Sequence, residues 1–133
     1  MDAESGIFTC PSGGTYLFVF HIATHDNKKA LLSIRKNGEE VASVFDQNHK
    51  DNHKNSMAGT TVILDANRGD EIVVYAYTGT WLADFPMNHY THWVGLLLKP
   101  NKDEIELMKK EAEEGLTNGD AAEGEKATTT NGF

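Results

Sequence analysis

The run TYLFVFHIA, residues 15–23, is apolar on both sides of an extended chain, and this restricts the folds open to the sequence more than any other feature. Side chains alternate across a strand, so Tyr16, Phe18, Phe20 and Ile22 share one face while Leu17, Val19, His21 and Ala23 share the other. An antiparallel sheet normally turns one face to water; a strand that is apolar on both faces needs a cover over each. The closing run HWVGLLL repeats the pattern, with Trp93 and Leu97 opposite Val94, Leu96 and Leu98. A sandwich of about 100 residues cannot bury a second apolar layer by itself, so the expected cover is another copy of the chain.

Between and around these runs the chain reads as short β-type segments cut by turn residues. FTC stops at PSGG, ALLSIRK and EVASVFD flank Asn37-Gly38, and TTVILDA and EIVVYAY flank residues 67–69. Seven or eight short strands, with no helical period before Asn101, predict an all-β antiparallel sandwich or barrel. Asn37-Gly38 is the strongest local signal, because a two-residue hairpin turn with both centres at positive φ favours Asn followed by Gly. Residues 45–59, FDQNHKDNHKNSMAG, are polar and aperiodic and read as a long exposed loop. After Pro100 the pattern changes to NKDEIELMKKEAEEGL, a loosely amphipathic stretch that predicts a short helix of about three turns followed by a disordered acidic tail. The expected organisation is one β-domain over residues 1–100 and a tail over residues 101–133.

The net charge of −8 belongs mostly to that tail: residues 103–133 carry nine Asp/Glu against three Lys/Arg, whereas residues 1–102 are nearly balanced, at eleven against nine. This argues against a nucleic-acid partner, which takes clustered cations. No stretch has the run of about 18 apolar residues that a membrane helix requires, so membrane insertion is not expected. The one cysteine, Cys10, excludes an internal disulfide framework and reads as a buried apolar residue. The residues after Met1, DAESG, are not those of a secretory signal.

At residues 8–20 the sequence resembles the C1q globular domain. Phe8, then five residues, then GTYLFVF matches the F-x5-G-x-Y-x-F-x-[FY] half of that family's signature. LLSIRKNGEEV resembles its strand ending in Lys-Asn-Gly, Leu64 with Gly69-Asp70-Glu71-Ile72 resembles L-x4-G-D-x-V, and THWVGLLL resembles S-x-F-x-G-F-L-L. The resemblance implies a jelly-roll sandwich of the C1q and tumour-necrosis-factor type assembled as a compact trimer. Tyr16, Phe18 and Phe20 would then fill the sandwich, and Leu17, Val19, His21, Val94 and Leu96 would form the subunit interface. It also implies a secreted, extracellular protein, lectin-like and working in innate immunity, that binds carbohydrate or microbial surfaces; a trimerisation unit or signalling ligand for a protein receptor is the alternative. The family signature begins well before Phe8, so the first strands are expected to be missing, the domain to be truncated at its N-terminus and the closing strand to be left as an apolar edge. No Gly-X-Y run accompanies the domain.

No Ser-His-Asp set, phosphate-cradling loop or placed carboxylate pair appears, so no catalytic residues and no enzyme activity are expected. His49-x3-His53 and His89-x2-His92 lack a third and fourth ligand, so no metal site and no cofactor are expected. Asp46, Asp51 and Asp84 raise calcium, which some members of the family bind near the trimer top, but their spacing is not that of a calcium loop. Arg68-Gly69-Asp70, the tripeptide read by adhesion receptors, sits where two strands reverse and is read as turn chemistry. The segment TGTWLADFPMNHY, residues 78–90, holds too many large rings for a solvated connector. Trp81, Asp84, Phe85, His89 and Tyr90, with residues 48–55, form the expected ligand-contacting surface.

Overall fold

A computed structural model describes residues 2, 4–47 and 54–124. The chain forms two compact units, Met1–Pro100 and Asn101–Phe133. In the first, seven strands make two antiparallel sheets: β1 (Phe8–Thr9), β2 (Gly14–Ala23), β3 (Ala30–Lys36), β4 (Glu39–Asp46), β5 (Met57–Ala66), β6 (Glu71–Ala76) and β7 (His92–Pro100). The four-stranded sheet runs β1-β6-β3-β4 and the three-stranded sheet β5-β2-β7. This is the all-β antiparallel sandwich that the strand pattern predicts, in the jelly-roll form that the C1q resemblance implies.

Two-faced β2 occupies the centre of its sheet, between β5 and β7. Tyr16, Phe18, Phe20 and Ile22 point inward and are buried, whereas Leu17, Val19 and His21 face outward and are only half-buried. Phe8, on the opposite sheet, reaches across to this layer. Its ring lies edge-on to Phe18 at 5.6 Å, Tyr16 at 5.9 Å and Trp93 at 6.4 Å. Edge-to-face pairs of this kind contribute about 0.5–1.5 kcal/mol beyond the area they bury. One residue of a two-residue strand therefore ties the two sheets together.

The Asn37-Gly38 signal holds: both residues have positive φ, 50° and 85°, and they close the β3–β4 hairpin, in which Lys36 pairs with Glu39. Strand β7 lies at the edge of its sheet with no partner on its far side among the described residues. A cavity of about 250 Å³ lined by Phe8, Trp93, Val94 and Gly95 lies beside it.

In the second unit, α1 (Lys102–Gly124) runs 23 residues, further than the three turns its apolar positions alone support. Two local features help to start it. The Asn101 side-chain oxygen accepts from the Glu104 N–H at 2.8 Å, capping the first turn. Asp103 and Glu104 then place negative charge at the positive end of the helix dipole. The expected disorder at residues 125–133 lies outside the described residues.

Gly95 gives a direct test of the packing. A Cβ there would stand 2.6 Å from Cδ1 of the fully buried Phe18 ring. Gly95→Ala is expected to destabilise the domain by about 1–3 kcal/mol, the usual cost of overpacking a filled core. Urea denaturation checks this, and an unchanged midpoint would contradict the packing described.

Candidate functional site

The loop from residue 78 to residue 91 is fastened to the sandwich by its backbone and by threonine hydroxyls. Thr80 mimics a strand residue: its Oγ1 donates to the Leu31 carbonyl at 2.8 Å and accepts the Leu31 N–H at 3.1 Å. Trp81 N–H donates to the Lys29 carbonyl at 3.0 Å, Leu82 forms an isolated bridge with Thr24, and Ala83 N–H donates to Ala23 at 2.8 Å. Phe85 and Asn88 exchange two backbone bonds and make a tight reversal, with Met87 at its tip 88% exposed. Because only Ala83 is buried in the stretch from Trp81 to Tyr90, the large side chains are left outside. The backbone of this loop folds over the sandwich end while its rings stay exposed.

Those rings divide between two hollows that share no residue. In the larger, about 400 Å³, Trp81 and Phe45, each just over half exposed, stand with Lys28, Lys29, Asn27 and Gln47. The Lys28 ammonium sits 4.8 Å from the Trp81 ring centroid, a cation–π contact. The smaller, about 250 Å³, is lined by Phe85, Tyr90, Met57, Ala83, Asn55 and Ser56. Here Tyr90 packs edge-on to Phe85 at 6.1 Å. Asp84 and His89 line neither hollow. Asp84 Oδ1 accepts the Tyr90 N–H at 2.9 Å and its Oδ2 lies 3.9 Å from His89 Nδ1, so the pair shapes the loop from its exposed side.

Beneath the loop, Asp46 Oδ2 accepts from Thr24 Oγ1 at 2.6 Å and from Ser56 Oγ, while Thr24 N–H donates to the Ser56 carbonyl at 2.9 Å. These three residues join the ends of β2 and β4 to the entry of β5. The same bonds occupy Asp46, one of the carboxylates weighed for calcium; Asp51 lies outside the described residues. Among the described residues no group of three or more His, Cys, Asp or Glu could hold a metal ion. His49, His53 and the other residues 48–53 of the expected surface are outside them as well. Cys10 is buried, and burial followed by the Asp70 charge pushes its thiol pKa up, away from the reactive thiolate.

Arg68-Gly69-Asp70 forms the β5–β6 turn. Gly69 has φ 91°, and Asp70 is bound into the turn: its carboxylate accepts from Asn37 Nδ2 at 3.0 Å and from the Asn67 N–H at 2.8 Å, with Lys36 Nζ 3.7 Å away. Asn37, whose Oδ1 accepts the Glu71 N–H at 2.9 Å, therefore links this turn to the β3–β4 hairpin. The tripeptide is structural glue here.

The family model for the C1q domain matches residues 1–98, and the chain belongs to that family. Caprin-2 of Danio rerio is 29% identical over 79 residues, 59% of this chain; the chain spans 8% of that protein's length. Among solved structures, the globular domain of the zebrafish complement 1qA protein superposes with a TM-score of 0.57 at 21% identity, over 76% of this chain and 75% of the other. Eiger TNF from S. frugiperda does so with a TM-score of 0.60 at 16% identity, over 77% and 70%. At these identities the likeness is one of fold.

The Asp70 turn makes a pH prediction. The Asn37 hydrogen bond, then that from Asn67, lowers the Asp70 pKa below its ordinary value. A carboxylate depressed in the folded state contributes stability above its unfolded pKa of about 3.9, and that stability is lost as pH falls through the lower folded value. Asp70→Asn is expected to be less stable than wild type at pH 7 and to converge on it as pH falls through the lowered folded pKa of Asp70, as measured by urea midpoints across pH. Parallel curves would refute this role for Asp70.

Proposed function

We propose that the chain is a non-enzymatic recognition module that assembles as a homotrimer and binds carbohydrate or microbial-surface ligands multivalently through the loops at one end of the sandwich. The observation that carries this reading is the outer face of the β5-β2-β7 sheet. Cross-strand register places Ile63, Leu17 and Leu96 in one row and Thr61, Val19 and Val94 in the next. Ile63 is 63% exposed, Val94 51% and Leu96 44%, with Leu98 beyond them at 50%. A contiguous aliphatic face of this kind marks an interface. Identical copies closing around a common axis would shield it on each chain at once. Membership of the C1q family supports this arrangement, as does the fold shared with TNF-type proteins.

The ligand end rests on the two aromatic hollows. Trp81 and Phe45 supply flat apolar surface beside amide and ammonium groups, a combination suited to the mixed faces of a sugar ring. Three copies would raise avidity without any new contact. An extracellular, lectin-like role in innate immunity follows from this reading. Among the described residues no helix is long and apolar enough to cross a membrane.

Two substitutions test the two halves separately. Leu17→Glu is expected to convert a particle of three chain masses into single chains at micromolar concentration in sedimentation. Trp81→Ala is expected to leave the particle intact and lower recovery on bacterial-envelope or glycan beads by about tenfold or more, as hot-spot truncation does. Equal recovery would remove Trp81 from the ligand surface. Saturable binding to one protein, indifferent to free sugars, would select a receptor ligand instead.

A further inference from the structure

Resting on the trimeric reading above, we propose that His21 and His92 are part of a transition-metal site that copies of this chain complete across their shared face, taking a divalent ion of the zinc class. His21 and His92 are direct cross-strand partners in the row that follows Thr61, Val19 and Val94 on the outer face. Their rings stack with centroids 5.4 Å apart and planes 29° from parallel. The third member of the row is Gly59; a Cβ there would stand 2.7 Å from His21 Nδ1, so the imidazole lies over bare backbone.

Neither ring makes a hydrogen bond or ion pair among the described residues; they stack on each other. While the face is open, water can serve their nitrogens. When copies close over the aliphatic rows, those nitrogens lose water beside groups that offer one hydroxyl, Thr61, and two aliphatic side chains, Val19 and Val94. Burying unpaired polar atoms is costly. A bound metal ion removes that cost. Directly opposed residues on neighbouring strands have Cβ atoms about 4.5–5.5 Å apart, close enough for two imidazoles to converge on an ion at about 2.0–2.1 Å. The remaining ligands come from the equivalent histidines of the other copies around the shared axis; among the described residues a single chain holds no group of three. Neutral nitrogen donors without a carboxylate favour zinc, copper or nickel over calcium.

The probe is Zn²⁺, titrated into the metal-free full chain in competition with a chromophoric chelator, with sedimentation run in parallel in EDTA and in zinc. The expected result is binding of at most one ion per chain, weakened about tenfold or more by His21→Gln and by His92→Gln and unchanged by His89→Gln. Zinc is also expected to hold the particle together at lower protein concentration. Sedimentation in EDTA reads the assembly alone and shows whether each variant is folded. A trimer in EDTA whose zinc affinity ignores both replacements, or follows His49→Gln and His53→Gln instead, overturns the metal site and leaves the assembly standing. Single chains in EDTA and in zinc alike would remove the assembly and the site with it.

Discussion

The rest of the structure depends on one strand that is apolar on both faces. The inner side chains of β2, Tyr16, Phe18, Phe20 and Ile22, form the centre of the sandwich and are each at most 3% exposed. Burying a side chain of that size stabilises a fold by about 1.5–3 kcal/mol. Its outer side chains belong to a second hydrophobic layer that the chain begins and does not finish. The strand needs to be central for this to work. An edge strand has one neighbour, whereas β2 receives rows from both β5 and β7, and only so do its three outward residues become rows three residues wide.

Much of this was legible because strand alternation has a period of two and does not depend on what lies far away in the chain. The faces of β2 and β7 can be read from their letters, and so can the Asn37-Gly38 hairpin and the glycine turn before β6. The C1q resemblance rests on those same residues. What the sequence did not reveal depends on long-range register. Thr24, Asp46 and Ser56 are each ordinary in their own surroundings and meet only where three strand ends converge. Phe45 reads as one more residue of β4, yet it faces outward and forms a hollow with Trp81, 36 positions later. The pairing of His21 with His92 requires knowing that β2 and β7 are neighbours and that the bulge between Thr15 and Tyr16 sets their alignment. Each histidine had a local explanation, the first as an interface residue and the second as part of a loop pair, and neither explanation places the two together.

The loop end shows how a connector holds shape while its side chains stay exposed. Its order comes from the Thr80 hydroxyl bound to Leu31 and from backbone bonds to Lys29 and Ala23 rather than from burial of its rings. Composition alone suggests a choice between a packed cover and a presenting surface, since large apolar residues are usually counted as core. Here the two roles are divided by atom type. The main chain, with Ala83, covers the sandwich end, and Trp81, Phe85, Met87 and Tyr90 remain outside.

The same strand connects the aliphatic face to the loop end of the domain. Ala23, the last residue of β2, accepts from Ala83, and Thr24 just after it pairs with Leu82; Ala23 N–H also donates to Thr91 Oγ1 at 3.2 Å, just before β7 begins. Two residues earlier, His21 belongs to the outer face. The shift from outer face to loop anchor thus takes place within a few residues, about 3.3 Å of rise each, along one strand. Any rearrangement that repositions β2 within its sheet moves the loop anchors with it. Geometry at the rings is therefore set through Ala23 and Thr24 by the strand that carries the aliphatic face.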